Sequence, residues 1–347
     1  MNIVGKTLAE IEEITKELGL PKYNAREIAL WVYRRGATSF DEMTNISKKA
    51  REVLKAKYTL DLTKPNNVSV SIDGTKKYLY PAGINQYIET AYIPDGKRHT
   101  ICVSSQVGCK MGCTFCMTAR QGFQNQLKTS DIINQVLSSP DKELLTNIVF
   151  MGMGEPFDNT TNVMKALEIL TADYGMAFSP KKITVSTIGL IPGMKEFIEN
   201  SKCNLAISLH SPFEKERESL VPMQKRYTFN EIIDVLKSFS FEKQRRVSFE
   251  YIVFKGVNDS DKHVKELARI LNGLKARMNL IRFHKIPGSD LEGANLSEMQ
   301  LFRDKLDRKG ITTTVRKSRG EDIFAACGLL STKQQNAQKQ KNLKIAQ

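Results

Sequence analysis

Apolar side chains recur along this chain with two different periods. Near the N-terminus the spacing is helical: Leu8, Ile11, Ile14 and Leu18 fall on one face, which predicts an amphipathic helix. Ile28, Trp31 and Val32 predict a second helix, with Asn24 as its cap. From about residue 66 the period drops to two. VSVSIDGTKKYLY and YIETAYIPDGKRHTICVSS each alternate and each break at Asp-Gly, so two hairpins are expected. Beyond them, the short runs NIVFM, KITVST, NLAISLH, VSFEYIVF, MNLIRFH and TTTVR are separated by amphipathic stretches. Strand and helix in alternation predict an α/β body, a largely parallel sheet with helices outside. With the strand that enters SSQVGCK, about six or seven strands are available, which suits an open, partial barrel better than a closed one of eight.

This layout divides the chain into an accessory domain of helices and hairpin (1–92), a barrel (93–330) and a tail (331–347) that carries four lysines and no acid. Polar residues recur at or just past the C-terminal ends of the predicted strands: Glu155, Ser186, Ser208, His210 and His284. In parallel β/α architectures that end carries the chemistry. Any one of them alone reads as a turn or cap residue; it is the recurrence that points to a site.

Composition narrows the setting. With 347 residues, 41% hydrophobic, the chain can bury one large core and a small accessory domain. It has no apolar run of about 18 residues, and MNIVGKTLAEIEEI is not a basic-then-apolar leader. A cytoplasmic protein with no membrane partner is therefore expected. Fifty-two basic against 38 acidic residues give a formal charge of +14, which is what a polyanion-binding protein needs. A solvated basic surface explains the same excess equally well.

The cysteines are more specific. Cys109, Cys113 and Cys116 form Cys-x-x-x-Cys-x-x-Cys in a loop after a strand. Structural zinc asks for four protein ligands, usually in two pairs, and no fourth lies at finger-like spacing. Three thiolates on a 4Fe–4S cubane leave one iron open, which can chelate the amino and carboxylate groups of S-adenosylmethionine (SAM). In MGMGEP, Gly152 and Gly154 permit close backbone approach and Glu155 offers an acceptor for an ammonium group. Cys203 reads as a small buried hydrophobe, and Cys102 and Cys327, each taken singly, also read as structural.

Taken together, REIALWVYRRGATSFDEMTNI, YIETAYIP, ICVSSQVGCKMGCTFCMTARQGF, MGMGEP, STIGLIPGM, AISLHSP, GVNDS and VRKSRGEDIFAACG resemble the RlmN-type family of radical SAM adenine-carbon-2 methyltransferases, over nearly the whole chain. The resemblance implies a partial (β/α)6 TIM-like barrel with an N-terminal accessory domain that contacts RNA. It implies one 4Fe–4S cluster on Cys109, Cys113 and Cys116, with SAM as cofactor, a cellular one-electron reductant and a monomer. The implied substrate is an adenosine of 23S ribosomal RNA, taken before full ribosome assembly, and in some members a transfer RNA adenosine. By the same resemblance Gly154, Glu155, Ser186, Ser208, Leu209, His210 and His284 contact SAM; His284 stands where the family usually has Asn. Cys327 would carry a methyl group taken from SAM, Glu89 would accept the ring proton, and Cys102 would release the product by forming a disulfide with Cys327. Two other readings stay open: a sibling that methylates adenine carbon 8 and confers antibiotic resistance, and a non-catalytic iron–sulfur redox sensor bound to RNA.

Overall fold

A helical N-terminal segment leads into the sheet. The structure, a computed structural model, describes residues 1–239 and 247–332; the expected basic tail lies outside these except for its first two residues. Helix α1 (Leu8–Glu17) begins where Thr7 Oγ1 accepts from the Glu10 amide and Glu10 returns an acceptor to Thr7. It buries Ile11 and Ile14 against α2 (Tyr23–Tyr33), whose Ile28, Ala29 and Val32 face inward. Asn24 does not cap α2. Lys22 already has helical angles, so Asn24 sits inside the first turn with its side-chain oxygen buried and unpartnered. Ser47 caps α3 (Lys48–Lys57).

The period-two segment gives β1 (Asn67–Val70), β2 (Lys76–Pro81), β3 (Tyr87–Asp95) and β4 (Arg98–Cys102), each antiparallel to the last. Both Asp-Gly steps are turns between paired strands, as expected. A two-residue ribbon of β5 (Gln106–Val107) and β6 (Asn125–Gln126) brackets the cysteine loop and the short helix α4 (Met117–Gln121). Then strands and helices alternate: α5 (Thr129–Leu137), β7 (Asn147–Phe150), α6 (Thr160–Thr171), β8 (Ile183–Thr187), α7 (Ile191–Asn200), β9 (Asn204–Ser208), α8 (Glu214–Leu220), α9 (Phe229–Ser238), β10 (Val247–Val253), α10 (Asp261–Leu271), β11 (Ala276–Arg282), α11 (Leu296–Arg308) and β12 (Thr313–Val315).

The sheet has ten strands in the order β1-β2-β3-β4-β7-β8-β9-β10-β11-β12, antiparallel up to β4 and parallel from β4 onward. β1 and β12 are its two edges, so the barrel is open. Burial of Ile148, Phe150, Ile183, Val185, Leu205 and Ile207 stabilises the parallel strands by roughly 1.5–3 kcal/mol per side chain. Position 92 falls inside β3, whose Ala91 pairs with Cys102. The hairpins therefore extend the main sheet. Among the described residues no helix is long and apolar enough to cross a membrane.

Candidate active site

The cysteine loop is made by one glycine. Gly108 has φ +72°, and a Cβ there would lie 1.7 Å from the Gly122 carbonyl oxygen, so only glycine lets the loop's two ends meet. Cys116 then caps α4 and donates its amide to the Cys113 carbonyl (3.2 Å). Cys109, Cys113 and Cys116 line one cavity at the C-terminal ends of the strands, as parallel architecture predicts. Burial pushes the Cys109 thiol up to about 12. It raises Cys113 well above the ordinary thiol range, with the neighbouring Cys116 and Cys109 adding to the effect. Cys116 is raised by burial too, against the amide of Ala119. As bare thiols, these three stay protonated at neutral pH; a cationic metal centre is what would ionise them.

The surroundings fit a cluster. Arg217, 1% exposed, donates to the carbonyls of Leu209 (3.1 Å), Ile188 (2.7 Å) and Ser208 (3.1 Å) and to Gln224. Among the described residues no carboxylate lies within ion-pair reach of it, and the group that would favour its charge, once ionised, is Cys113. A buried cation of this kind needs an anionic neighbour, and a three-thiolate cluster is one. Among the described residues no three His, Cys, Asp or Glu side chains are gathered around a single ion. A cubane makes no such demand, since its cysteines bind different irons.

The opposite wall comes from the ends of β7, β8 and β9. Gly154 (φ +101°) brings its backbone against Gln106, where a Cβ would come within 2.5 Å. The close approach that its sequence context predicts is thus to the protein's own β5. Glu155 is buried; its Oε1 accepts from the Phe157 amide (3.1 Å) and its Oε2 from Ile188 (3.0 Å). Burial nonetheless pushes its carboxyl up to about 7. Ser186, Ser208 and His210 complete the lining. His210 has φ +59°, and its Nδ1 accepts from the Ile252 amide (3.1 Å), which leaves the ring hydrogen on Nε2. Burial, then Arg217, push its pKa down to about 3, so the ring is a neutral donor.

Cys327 joins the same cavity from the C-terminal segment. The Met117 amide donates to the Gly328 carbonyl (2.8 Å), Thr118 Oγ1 to Leu330 (2.7 Å) and Gln121 Nε2 to Thr332 Oγ1 (2.8 Å). Cys327 also lines a second cavity, of about 340 Å³, together with Cys102. Cys102 ends β4 beneath Val149 and Ala325; burial, then the neighbouring Cys327, push its thiol up to about 12. Both are free thiols, so the disulfide implied by the family resemblance is not formed in this structure. Arg316 lines both cavities and donates to Glu250 Oε2 (3.2 Å).

Glu89, the proton acceptor implied by the resemblance, is fully buried. Its Oε1 lies 3.0 Å from Lys77 Nζ and its Oε2 accepts from the Ser331 amide (2.9 Å). Burial raises its pKa, against Lys77. It therefore fastens the Cys327 segment from behind. Leu209, also buried, acts through its backbone: its carbonyl receives Arg217 and its amide donates to Glu250. His284 lines the second cavity, beside Cys102 and Cys327, and is bonded to Ser318 (2.9 Å). Sequence reasoning overlooked Arg217, Arg316, Glu250 and Lys77. Only Glu250 had a signal, as the lone charge inside VSFEYIVF.

Known proteins share this arrangement. The Radical SAM superfamily profile matches residues 103–268, and the profile described as the ribosomal RNA large subunit methyltransferase N-terminal domain matches residues 1–60. A probable dual-specificity RNA methyltransferase RlmN of Bacteroides fragilis is 55% identical over 333 residues, covering 96% of this chain and 97% of its own. A dual-specificity RNA methyltransferase RlmN of Syntrophus aciditrophicus is 41% identical, with 96% and 97% covered. The crystal structure of a radical SAM methyltransferase from Sphaerobacter thermophilus superposes with a TM-score of 0.87 at 40% identity, over 95% of this chain and 99% of that one. Full-length identity at this level, on the same barrel and with the cysteine loop inside the matched region, means that the chain belongs to the RlmN family of radical SAM RNA methyltransferases.

Proposed function

We propose that this chain methylates carbon 2 of an adenosine in 23S ribosomal RNA, and of a transfer RNA adenosine, in the cytoplasm, through a methyl group carried on Cys327. The observation that carries the reading is the sharing of Cys327 between two cavities: one lined by the three cluster cysteines, the other by Cys102. One sulfur thus faces both the source of the carbon and the thiol that would release it.

Cys109, Cys113 and Cys116 would hold a 4Fe–4S cluster, and Glu155, Ser186, Ser208 and His210 would hold SAM, with Gly154 and Leu209 contributing backbone. When bound, the cluster supplies the electron that cleaves SAM, and SAM supplies the methyl carbon and its activation. An ammonium group beside Glu155 favours the ionised carboxylate that burial opposes. Neutral His210 offers its Nε2 hydrogen to an acceptor such as a carboxylate or ribose oxygen. Adenine carbon 2 is electron-poor and does not attack a SAM methyl group, so the carbon has to be delivered from a sulfur held near the ring. Cys327 takes the methyl group by displacement and presents it. Glu89 takes up the ring proton once Ser331 leaves Oε2, and Lys77 holds the carboxylate in place. Once that carbon is bonded to the ring, Cys102 gives up its proton and attacks the Cys327 sulfur; the electron pair of the sulfur–carbon bond passes to the carbon, which takes up a proton as the product methyl group, and cellular thiols reduce the disulfide left behind. The 1–92 segment would bind RNA, and His284 would border the sulfur pair in place of the usual Asn.

The test is mass spectrometry of ribosomal and transfer RNA from cells with and without this gene product, resolving 2-methyl- from 8-methyladenosine. Loss of the 2-methyl isomer alone is expected on deletion; loss of the 8-methyl isomer, or of neither, overturns the assignment.

A further inference from the structure

The barrel has a second mouth, at the N-terminal ends of its strands and opposite the cysteines. It opens into a cavity of about 830 Å³. Five cations line it: Lys97, Arg98, Lys181, Lys182 and Arg277. They arrive from three separate segments. Lys97 and Arg98 follow the Asp95-Gly96 turn into β4, Lys181 and Lys182 form the turn into β8, and Arg277 is the second residue of β11. Among the described residues no carboxylate lines the cavity and none of the five cations is ion-paired. Elsewhere on this surface lysines do find acids, as Lys55 finds Asp41 (2.5 Å) and Lys305 finds Asp261 (2.6 Å).

The mouth is held in shape. Asn204 Nδ2 donates to the carbonyl of Lys181 (2.9 Å), Asn147 Nδ2 to that of Lys182 (3.4 Å), and the His99 amide to Thr146 Oγ1 (2.9 Å). The loops that carry the charge are thus tied to the strand ends. Glu250, deeper in the barrel, does not neutralise the mouth, because Ser248, Asn279 and Arg316 already occupy its oxygens. Like charges fixed around a concave space without counter-charges make a focused positive field. The volume lies in the range of about 300–1,000 Å³ typical of small-ligand sites, so the shape suits a compact chain of anionic groups better than the flat face of a duplex.

We propose that this mouth binds a phosphate chain, either that of a free nucleoside polyphosphate or a run of RNA phosphodiesters, at a site separate from the reacting sulfurs. The inference goes beyond the methyl-transfer reading and does not depend on it. Lysine and arginine recognise phosphate by charge and by multiple N–H donors, and the hydroxyl of Thr184 adds a neutral donor at the rim.

The experiment uses the cluster-loaded full chain. Inorganic triphosphate is titrated calorimetrically and a single-stranded RNA by fluorescence anisotropy, with wild type, Lys97→Ser/Lys181→Ser/Lys182→Ser, Arg277→Gln and the three Lys→Arg exchanges. One triphosphate per chain is expected, bound at least tenfold more weakly by the triple serine variant and about threefold more weakly by Arg277→Gln, and retained by the arginine exchanges. If RNA uses the mouth, its salt slope falls by about 2 in the triple serine variant, at roughly 0.7 per lost single-strand phosphate contact. A change in the triphosphate arm alone assigns a free polyphosphate, and a change in RNA affinity assigns the RNA backbone. Affinities within twofold of wild type for both ligands in both the triple serine variant and Arg277→Gln overturn the proposal. SAM cleavage without RNA is expected to be unchanged in every variant. Failure of the RNA-methylation test leaves the triphosphate arm untouched, so the two readings fail separately.

Discussion

The chain presents its functional sulfur atoms on two kinds of loop. The cluster loop is built from within: Gly108 meets Gly122, the Cys116 amide reaches Cys113, and Arg120 donates its amide to Cys116. The segment around Cys327 is built from outside. Its bonds to Thr118, Gln121 and Glu89 span 212, 211 and 242 positions. A short stretch of sequence makes the first loop, whereas only the completed fold makes the second. Gln121 alone makes three bonds to it, with Thr332 Oγ1, the Thr332 amide and Ser331 Oγ, and each such bond contributes about 1 kcal/mol. The cluster loop thus owes its shape chiefly to near neighbours in sequence, and the Cys327 segment owes its place to distant ones.

The largest expected contrast is chemical. Cys113→Ala should take bound iron from about four per chain to near zero and abolish SAM cleavage, while Cys327→Ala keeps the iron. Cleavage by Cys113→Ala at the wild-type rate would falsify the ligand assignment. Within the pair, Cys102→Ala should accumulate a covalent protein–RNA species on denaturing gels and Cys327→Ala should form none; normal turnover by Cys102→Ala would require another resolving thiol.

Next comes a contrast between two glycines. Gly108→Ala drives a Cβ to 1.7 Å from a carbonyl at φ +72°, whereas the nearest atom to a Cβ at Gly328 (φ +83°) is 3.2 Å away. Thermal melts should register a loss of about 3 kcal/mol or more for the first and about 1 kcal/mol for the second. Equal losses would mean that the local loop is no more constrained than the remote one.

Smaller still, Glu89→Ala removes the acceptor of the Ser331 amide. Hydrogen exchange at Ser331 should accelerate roughly tenfold, with exchange in 109–116 unchanged. Parallel acceleration in both loops would show that they are one cooperative unit. The smallest effect is expected from His284→Asn, which can keep a bond to Ser318. The SAM requirement should stay within about twofold; because His284 borders the sulfur pair and not the cluster cavity, His284→Leu should slow methyl transfer more than SAM cleavage.

What was legible in the sequence follows the same division. The six apolar runs became strands β7 to β12, and both Asp-Gly steps became turns, because period and turn chemistry are local properties. The three cluster cysteines fall together for the same reason. The approach of Cys102 to Cys327 could be inferred only through a family resemblance, since nothing within a few residues of either one encodes it. The burial of Glu89 is not legible in YIETAYIP, which does not reveal that β3 lies between β2 and β4 with the C-terminal segment behind it. Arg217 is hidden in EKERESL, a stretch whose composition says solvent; only the fold turns that one side chain inward. Asn24 shows the opposite failure, a cap-type residue placed two positions too late.

Cys102 carries a consequence for oxidative wear. A thiol that ionises only near pH 12 is almost entirely in its inert form at neutral pH, and peroxide, glutathione disulfide and alkylating agents all react through the thiolate. Cys327 is solvent-exposed and meets such reagents first. Damage in an aerobic cell should therefore strike Cys327 and spare Cys102. Two free thiols side by side do not close on each other unaided in any case, because forming a disulfide from them requires a two-electron acceptor.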